Sequence, residues 1–431
     1  MSRFLIALFL GFGFLSALPV TAARATDLTL AQSIDSARRF WEDKLGESLV
    51  ESQLALRIAQ GSLLPSLAGN YTVGRDFSSP LAPVGQGSLT LKQDLVNAAN
   101  WKTIEARSAE VVSRACDQQE QLLVIAKNVI HLFFQIRHQE EQARLLKKNA
   151  GRLAKVVELL EETVQLKVAS QTDLFSAKAE VSDVQLLLAQ SQADMASTSA
   201  QFKSQVGISV QDSLNLSGVP EISYRPPEMR DWLKLAETLP DIISLRSRVI
   251  SSIRDASAAN WESVPTFSVQ AAYGNPSFGS PPGTPNYASV VGTFSLPILD
   301  QGIRTKKHSR AESLRTLFEG QLTARRNSTL NEIEALLSQR NADQSVLQIA
   351  NERLRLAEQA YANAWTLLRL GRGGYLSIKD AENSAFLAEG QKATILIRLA
   401  TTLATLRIVA ESAKTLATGE ASGCRSIPDE S

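Results

Sequence analysis

The chain states one pattern twice, at an offset of about 200 residues, and each copy reads helix, strand, turn, strand, very long helix, tight turn, long helix. The first strand of each copy opens with proline, as Leu64-Pro65-Ser66-Leu67 and as Val264-Pro265-Thr266-Phe267. The later strands close alike, as Ser88 to Leu95 and as Gly292 to Leu299. The far helical turns match as Thr172 to Glu180 and as Leu376 to Glu382. A duplicated strand pair joined to such helices fits a conduit better than a pocket.

From about Ala98 to Leu166, and again from Asp300 to Leu370, no proline interrupts a helical period. At 1.5 Å per residue each run is on the order of 100 Å long. Apolar positions step by three and four along both runs, for example Leu146, Ala150, Leu153, Val157 and Leu160. The return helices do the same through Leu174, Ala177, Val181 and Val184, and through Ile378, Ala381, Ala385 and Ala388. No compact core can accompany helices of this length, so extended coiled coil is expected.

Between the helices the period becomes two. Leu67, Gly69, Tyr71 and Val73 oppose Ala68, Asn70 and Thr72, while Leu89, Leu91 and Leu95 oppose Ser88, Thr90, Lys92 and Asp94. The second copy sets Phe267, Val269, Ala271 and Tyr273 against Thr266, Ser268, Gln270 and Ala272, and Val290, Gly292, Phe294 and Leu296 against Ser289, Val291, Thr293 and Ser295. Strands of about ten residues suit a tilted transmembrane strand, and equally the half-buried sheet of a soluble sandwich. The long helices favour the membrane reading. Tyr71, Tyr273, Tyr287 and Phe294 are candidate interface aromatics.

Residues 1–25 read as a secretory leader: Arg3, an apolar run through Val20, and Ala23-Arg24-Ala25 at the cleavage positions. Beyond it no stretch is expected to approach the roughly 20 apolar residues of a membrane helix, so any bilayer contact would be through β-structure. Removing the leader takes Arg3 and Arg24 and no acid, so 45 basic residues become 43 against 44 acidic. Such a balance offers no field to recruit nucleic acid. Cys116 and Cys424 are too few for a metal cluster or a disulfide framework. They could form one bridge, or stay apart with Cys424 in a polar tail. His131 and His138 share a helix face but have no third ligand at metal spacing, and read as solvated. No phosphate loop, nucleophile–base pair or zinc set is present, so neither an enzyme nor a cofactor is expected.

The organisation expected is a first repeat over 26–206, an irregular linker over 207–230, a second repeat over 231–418 and a disordered tail over 419–431. Asp27 to about Ser62 reads as one helix, capped near Thr29 and ended by Pro65.

At the strand-to-helix junction, Ser295-Leu296-Pro297-Ile298-Leu299-Asp300-Gln301-Gly302-Ile303-Arg304 resembles the corner of the TolC family of outer-membrane efflux channels. Pro65 and Pro265 resemble its strand openings, although the first copy has Asp94 where the corner usually carries proline. The resemblance implies an α+β membrane protein, with a long antiparallel coiled-coil tunnel and four transmembrane strands per protomer. Three chains would complete a twelve-stranded barrel. It further implies a homotrimer in the outer membrane with its helical part spanning the periplasm, meeting lipid, a periplasmic adaptor and an inner-membrane pump, and passing small molecules or polypeptides passively. The tip would be the gate, with Asp380, Ser377, Arg372, Lys379 and Asp173 as its candidate residues. The adaptor would dock at turns holding Lys167, Val168 and Ala169 in one copy and Gly371, Gly373 and Gly374 in the other. Asp380 would give one carboxylate per protomer at the entrance, where family members can carry two, Ser377 standing at the other position. The alternatives are a periplasmic adaptor, which would show one hairpin and flanking β-domains, and a structural coiled-coil envelope protein, which would lack the duplicated strands.

Overall fold

Thr29 starts the first helix. Its hydroxyl accepts from the Gln32 N–H at 3.3 Å, and the Gln32 side chain accepts from the Thr29 N–H at 2.9 Å, a reciprocal cap. The structure is a computed structural model describing residues 25–74, 84–167, 169–218, 223–275, 284–418 and 423–425. The expected leader other than Ala25, most of both strand-joining loops, Val168, residues 219–222 of the expected linker and most of the tail lie outside these residues.

The order is β1 (Ala25–Leu28), α1 (Leu30–Leu45), α2 (Glu47–Gly61), β2 (Ser66–Gly74), β3 (Val84–Val96), α3 (Ala98–Gln165), α4 (Gln171–Val206), β4 (Ser213–Leu216), α5 (Met229–Ala236), α6 (Pro240–Trp261), β5 (Thr266–Gly274), β6 (Tyr287–Ser295), α7 (Ile303–Arg369) and α8 (Tyr375–Ala417). The single helix expected over 27–62 is therefore a strand and two helices stepping at Gly46, and α2 ends at Gly61, ahead of Pro65. The expected irregular linker contains β4, which pairs in parallel with β1. Leu28 and Leu216 are partners in that pairing, both buried in a cluster with Ile130, Phe133 and Phe202. Burying these two leucines is what gives so short a pair its stability.

The antiparallel sheet runs β2-β3-β5-β6. Register puts Leu67 beside Leu91, Leu91 beside Ala271, and Ala271 beside Val290, so one face is apolar across all four strands, with Gln93 as a polar residue at its helix end. The opposite face carries Asn70, Thr90, Lys92, Gln270 and Thr293. At the helix end of β3 a bulge between Asp94 and Val96 turns Val96 onto the Phe267 side. Gly274 closes against β3 so tightly that an added Cβ would lie 2.7 Å from the Gly87 carbonyl oxygen.

The sheet order continues into the helices: α2 packs on α3, α3 on α6, and α6 on α7. The α3–α6 seam is built of small side chains, Ala106, Ala109, Ser113 and Cys116 against Ser244, Ser247, Ala256 and Ala259, which lets the backbones approach closely. Farther from the sheet the neighbours are α4, α3, α8 and α7 in that order. α8 is long and apolar enough by composition to cross a membrane, contrary to the sequence expectation. Its Leu406, Val409, Ala410 and Ala413 are instead buried with Trp232, Leu123 and Ile333, which makes it a core helix of the bundle.

Cys116 and Cys424 are joined in a disulfide. Both are fully buried with Ala115, Ile243 and Leu416. The expectation of a tail disordered from residue 419 is thus corrected at 423–425. The apolar cleft beside α3 takes the second cysteine, a contact that no local pattern signals across 308 residues.

Candidate functional site at the helical tip

The two hairpin turns share three matching backbone bonds among the described residues. Leu166 donates to the Glu162 carbonyl and Leu370 to that of Thr366; Lys167 to Val164 and Gly371 to Leu368; Ala169 to Thr163 and Gly373 to Leu367. Every pair is separated by 204 residues. Such bonds satisfy the last carbonyls of α3 and α7, as left-handed helix ends do. Lys167 and Gly371 supply the left-handed residue, with φ of 57° and 67°. Beyond the turns Ser170 caps α4, accepting from the Thr172 N–H at 3.1 Å, whereas Gly374 begins α8 without a side-chain cap. Val168 lies outside the described residues.

Leu160, Val156, Leu174, Ala177, Leu368, Tyr375 and Ile378 bury one another, so all four helices meet at the tip. Asp380, Ser377 and Arg372 are exposed, and among the described residues neither the Asp380 nor the Arg372 side chain has a hydrogen-bond or ion-pair partner. Lys379 is drawn away from them: its Nζ lies 3.3 Å from Glu180 Oε2, which also accepts from the Tyr375 hydroxyl at 2.9 Å. Burial, then Glu180, Asp173 and Glu382, push the Tyr375 hydroxyl well above its ordinary value. Asp173 is half-buried.

Sequence reasoning missed the charged residues inside this end of the bundle. Glu389 of α8 faces three cations of α3: Lys148 at 2.8 Å, Arg144 at 3.6 Å and Arg152 at 3.8 Å. Arg152 also lies 3.9 Å from Glu382 and 5.2 Å from the centre of the Tyr361 ring. Glu382 is 2% exposed, and burial raises its carboxyl to about 7, with Glu180 adding to the rise and Arg152 opposing it. The α8 stripe is buried as expected at Ile378, Ala385 and Ala388, but at its second position Glu382 rather than Ala381 lies inside, Ala381 being half-buried. A charge four residues after Ile378 and three before Ala385 was the available signal. His138, read as solvated, is half-buried, and burial lowers its pKa; its ring lies 2.9 Å from the Gln142 side chain, while His131 is exposed.

The corners are built differently in the two copies. Pro297 follows β6, Gln301 and Gly302 take left-handed conformations, and Asp300 accepts from the Gly302 and Arg304 N–H groups at 3.2 and 2.9 Å. In the first copy β3 runs on through its bulge, and Asn97 caps α3 by accepting from the Asn100 N–H. Asp94 there accepts from the Asn97 side chain at 3.3 Å, so a proline corner is replaced by a bulge and a cap. Pro65 is exposed and Pro265 half-buried, each directly before its strand.

No family model matches the chain, and no curated protein matches its sequence. Solved structures do. CusC, whose structures concern transmembrane channel formation, is 14% identical with a TM-score of 0.78, over 88% of this chain and 91% of that one. The outer membrane protein VceC of Vibrio cholerae is 18% identical with a TM-score of 0.77, over 88% and 96%. The MtrE outer membrane channel of Neisseria gonorrhoeae, in its open state, is 17% identical with a TM-score of 0.72, over 88% of each chain. The chain has the fold of these outer-membrane channels.

Proposed function

We propose that this chain is an outer-membrane channel of the TolC family, acting as a homotrimer whose helices cross the periplasm. The carrying observation is an uncovered sheet. Its apolar face leaves Leu67 70%, Tyr71 73% and Phe294 68% exposed, a surface that demands lipid or protein. Its edge strands β2 and β6 have unpaired backbone. Four strands cannot close on themselves, since the smallest transmembrane barrels need about eight.

The helical layer has matching edges. On α4, Phe175, Ala179, Ser182, Leu186, Ala189 and Ala193 form an exposed seam of coiled-coil spacing. On α7, Val346, Ile349, Leu356 and Leu367 form another. A first-repeat edge at β2 and α4 and a second-repeat edge at β6 and α7 suit head-to-tail contacts, which close into a ring. Three chains of four strands would make the twelve-stranded barrel that the family resemblance implies.

In this reading the channel catalyses nothing and exports passively for an adaptor and an inner-membrane pump. The adaptor docks at the turns around Lys167 and Ala169 and around Gly371, Gly373 and Gly374. Asp380 lines the entrance, with Ser377, Arg372, Lys379 and Asp173 as the other residues of this end. The test is the purified mature protein in detergent and in planar lipid bilayers. A trimer that conducts is expected; a detergent-free monomer that leaves bilayers non-conducting would overturn the reading.

A further inference from the structure

Glu382 is the carboxylate, among the described residues, whose two oxygens are both buried without a hydrogen-bond donor. It stands at the meeting of the four tip helices. Arg152 faces it from α3, Glu180 from α4 and Tyr361 from α7, while Tyr375 and Lys379 lie on its own helix and Glu389 shares Arg152. The cation is 3.9 Å away and divided between Glu382, Glu389 and the Tyr361 ring. An ionised carboxylate held so is poorly compensated, whereas a neutral one is tolerated.

We propose that Glu382 is a proton-controlled latch: neutral, it lets α8 pack dry against α3; ionised, it draws water into the seam and loosens the two hairpins from each other. The direction follows from burial. The packed tip holds the carboxyl near 7, against an ordinary 4.5, so packing takes up a proton that the hydrated tip releases. Packing is therefore favoured in acid and progressively lost as pH rises from the ordinary value through the raised one. Over that interval the equilibrium shifts by on the order of a hundredfold per protomer. A widened passage as the result rests on the channel reading; the latch itself does not.

Hydrogen exchange of the detergent-solubilised full chain, corrected for the chemical exchange rate, tests this between about pH 5 and about pH 9. Protection over 375–389 is expected to fall on the order of a hundredfold as pH rises. Glu382→Gln should keep the acid level of protection throughout. Arg152→Gln removes the cation that opposes the rise, and should move the midpoint upward. PH-independent protection in the wild type, an unchanged profile in Glu382→Gln, or an unmoved midpoint in Arg152→Gln would each overturn the latch. Bilayer conductance is scored separately: a non-conducting protein with the expected exchange profile overturns the channel reading and keeps the latch, and a conducting one with a flat profile does the reverse.

Discussion

Lys167 and Gly371 hold the same left-handed backbone at equivalent places in the two tip turns, with φ of 57° and 67°. For glycine this conformation is free of steric penalty; for lysine it costs roughly 1 kcal/mol. Lys167→Gly is therefore expected to stabilise the first hairpin by up to about 1 kcal/mol. Gly371→Val should destabilise the second by at least that amount and impair adaptor docking. Denaturant titration and adaptor pull-down check the two effects, and full docking by Gly371→Val would argue against the turn as a docking site.

Glu120 of α3 faces Asp241 of α6 and Arg325 of α7, and burial together with Asp241 raises its carboxyl to about 7, against the pull of Arg325. Its folded value exceeds its ordinary 4.5, so the folded state binds more protons and stability falls as pH rises from about 4.5 to about 7. Glu120→Gln should flatten this slope and raise the Tm near pH 8, by up to about 3 kcal/mol of stability. Thermal melts across pH decide it; parallel curves for both proteins would assign the slope elsewhere.

Reduction of the Cys116–Cys424 bridge, or Cys424→Ser, is expected to cost on the order of 2–4 kcal/mol, because the unfolded chain is then released from a closure 308 residues long. Denaturation with and without reductant measures it. Equal stability would mean that the buried contacts around Cys424 hold the segment without the bond.

The two faces of the sheet should respond oppositely to charge. Leu91→Lys, on the apolar face, is expected to cost about 2–4 kcal/mol if it meets the middle of a bilayer. Thr90→Lys, one residue away on the polar face, should be tolerated. The yield of membrane-extracted oligomer compares them, and equal yields would remove the lipid-facing assignment.

Asp380→Ala should alter cation block or conductance, since an exposed carboxylate without a partner acts on passing ions through its charge alone. Unchanged conductance would make Asp380 an ordinary surface acid.

The long helices and the four strands of the sheet were legible because their periods of 3.6 and 2 persist over many residues, and Leu160, Leu174 and Leu368 are buried where the stripes place them. The β1–β4 pair was not, since Ser213–Leu216 is too short for its alternation to stand out. Nor was the bulged corner at Asp94, where a cap from Asn97 does what proline does in the other copy. The candidate site was half legible. Exposed Asp380 and Ser377 lie on the surface that the pattern offers, but Glu382 sits inside the stripe between Ile378 and Ala385, where it meets Arg152. Windows of local sequence do not show which side chain of another helix meets such a charge.

The bond between Cys116 and Cys424 makes the polypeptide a lariat, with all of α4 to α8 and most of α3 inside its loop. A protease that nicks the backbone once anywhere between those cysteines leaves two fragments still covalently joined. They would migrate apart only after reduction, so cleavage in the envelope could go unseen on a non-reducing gel.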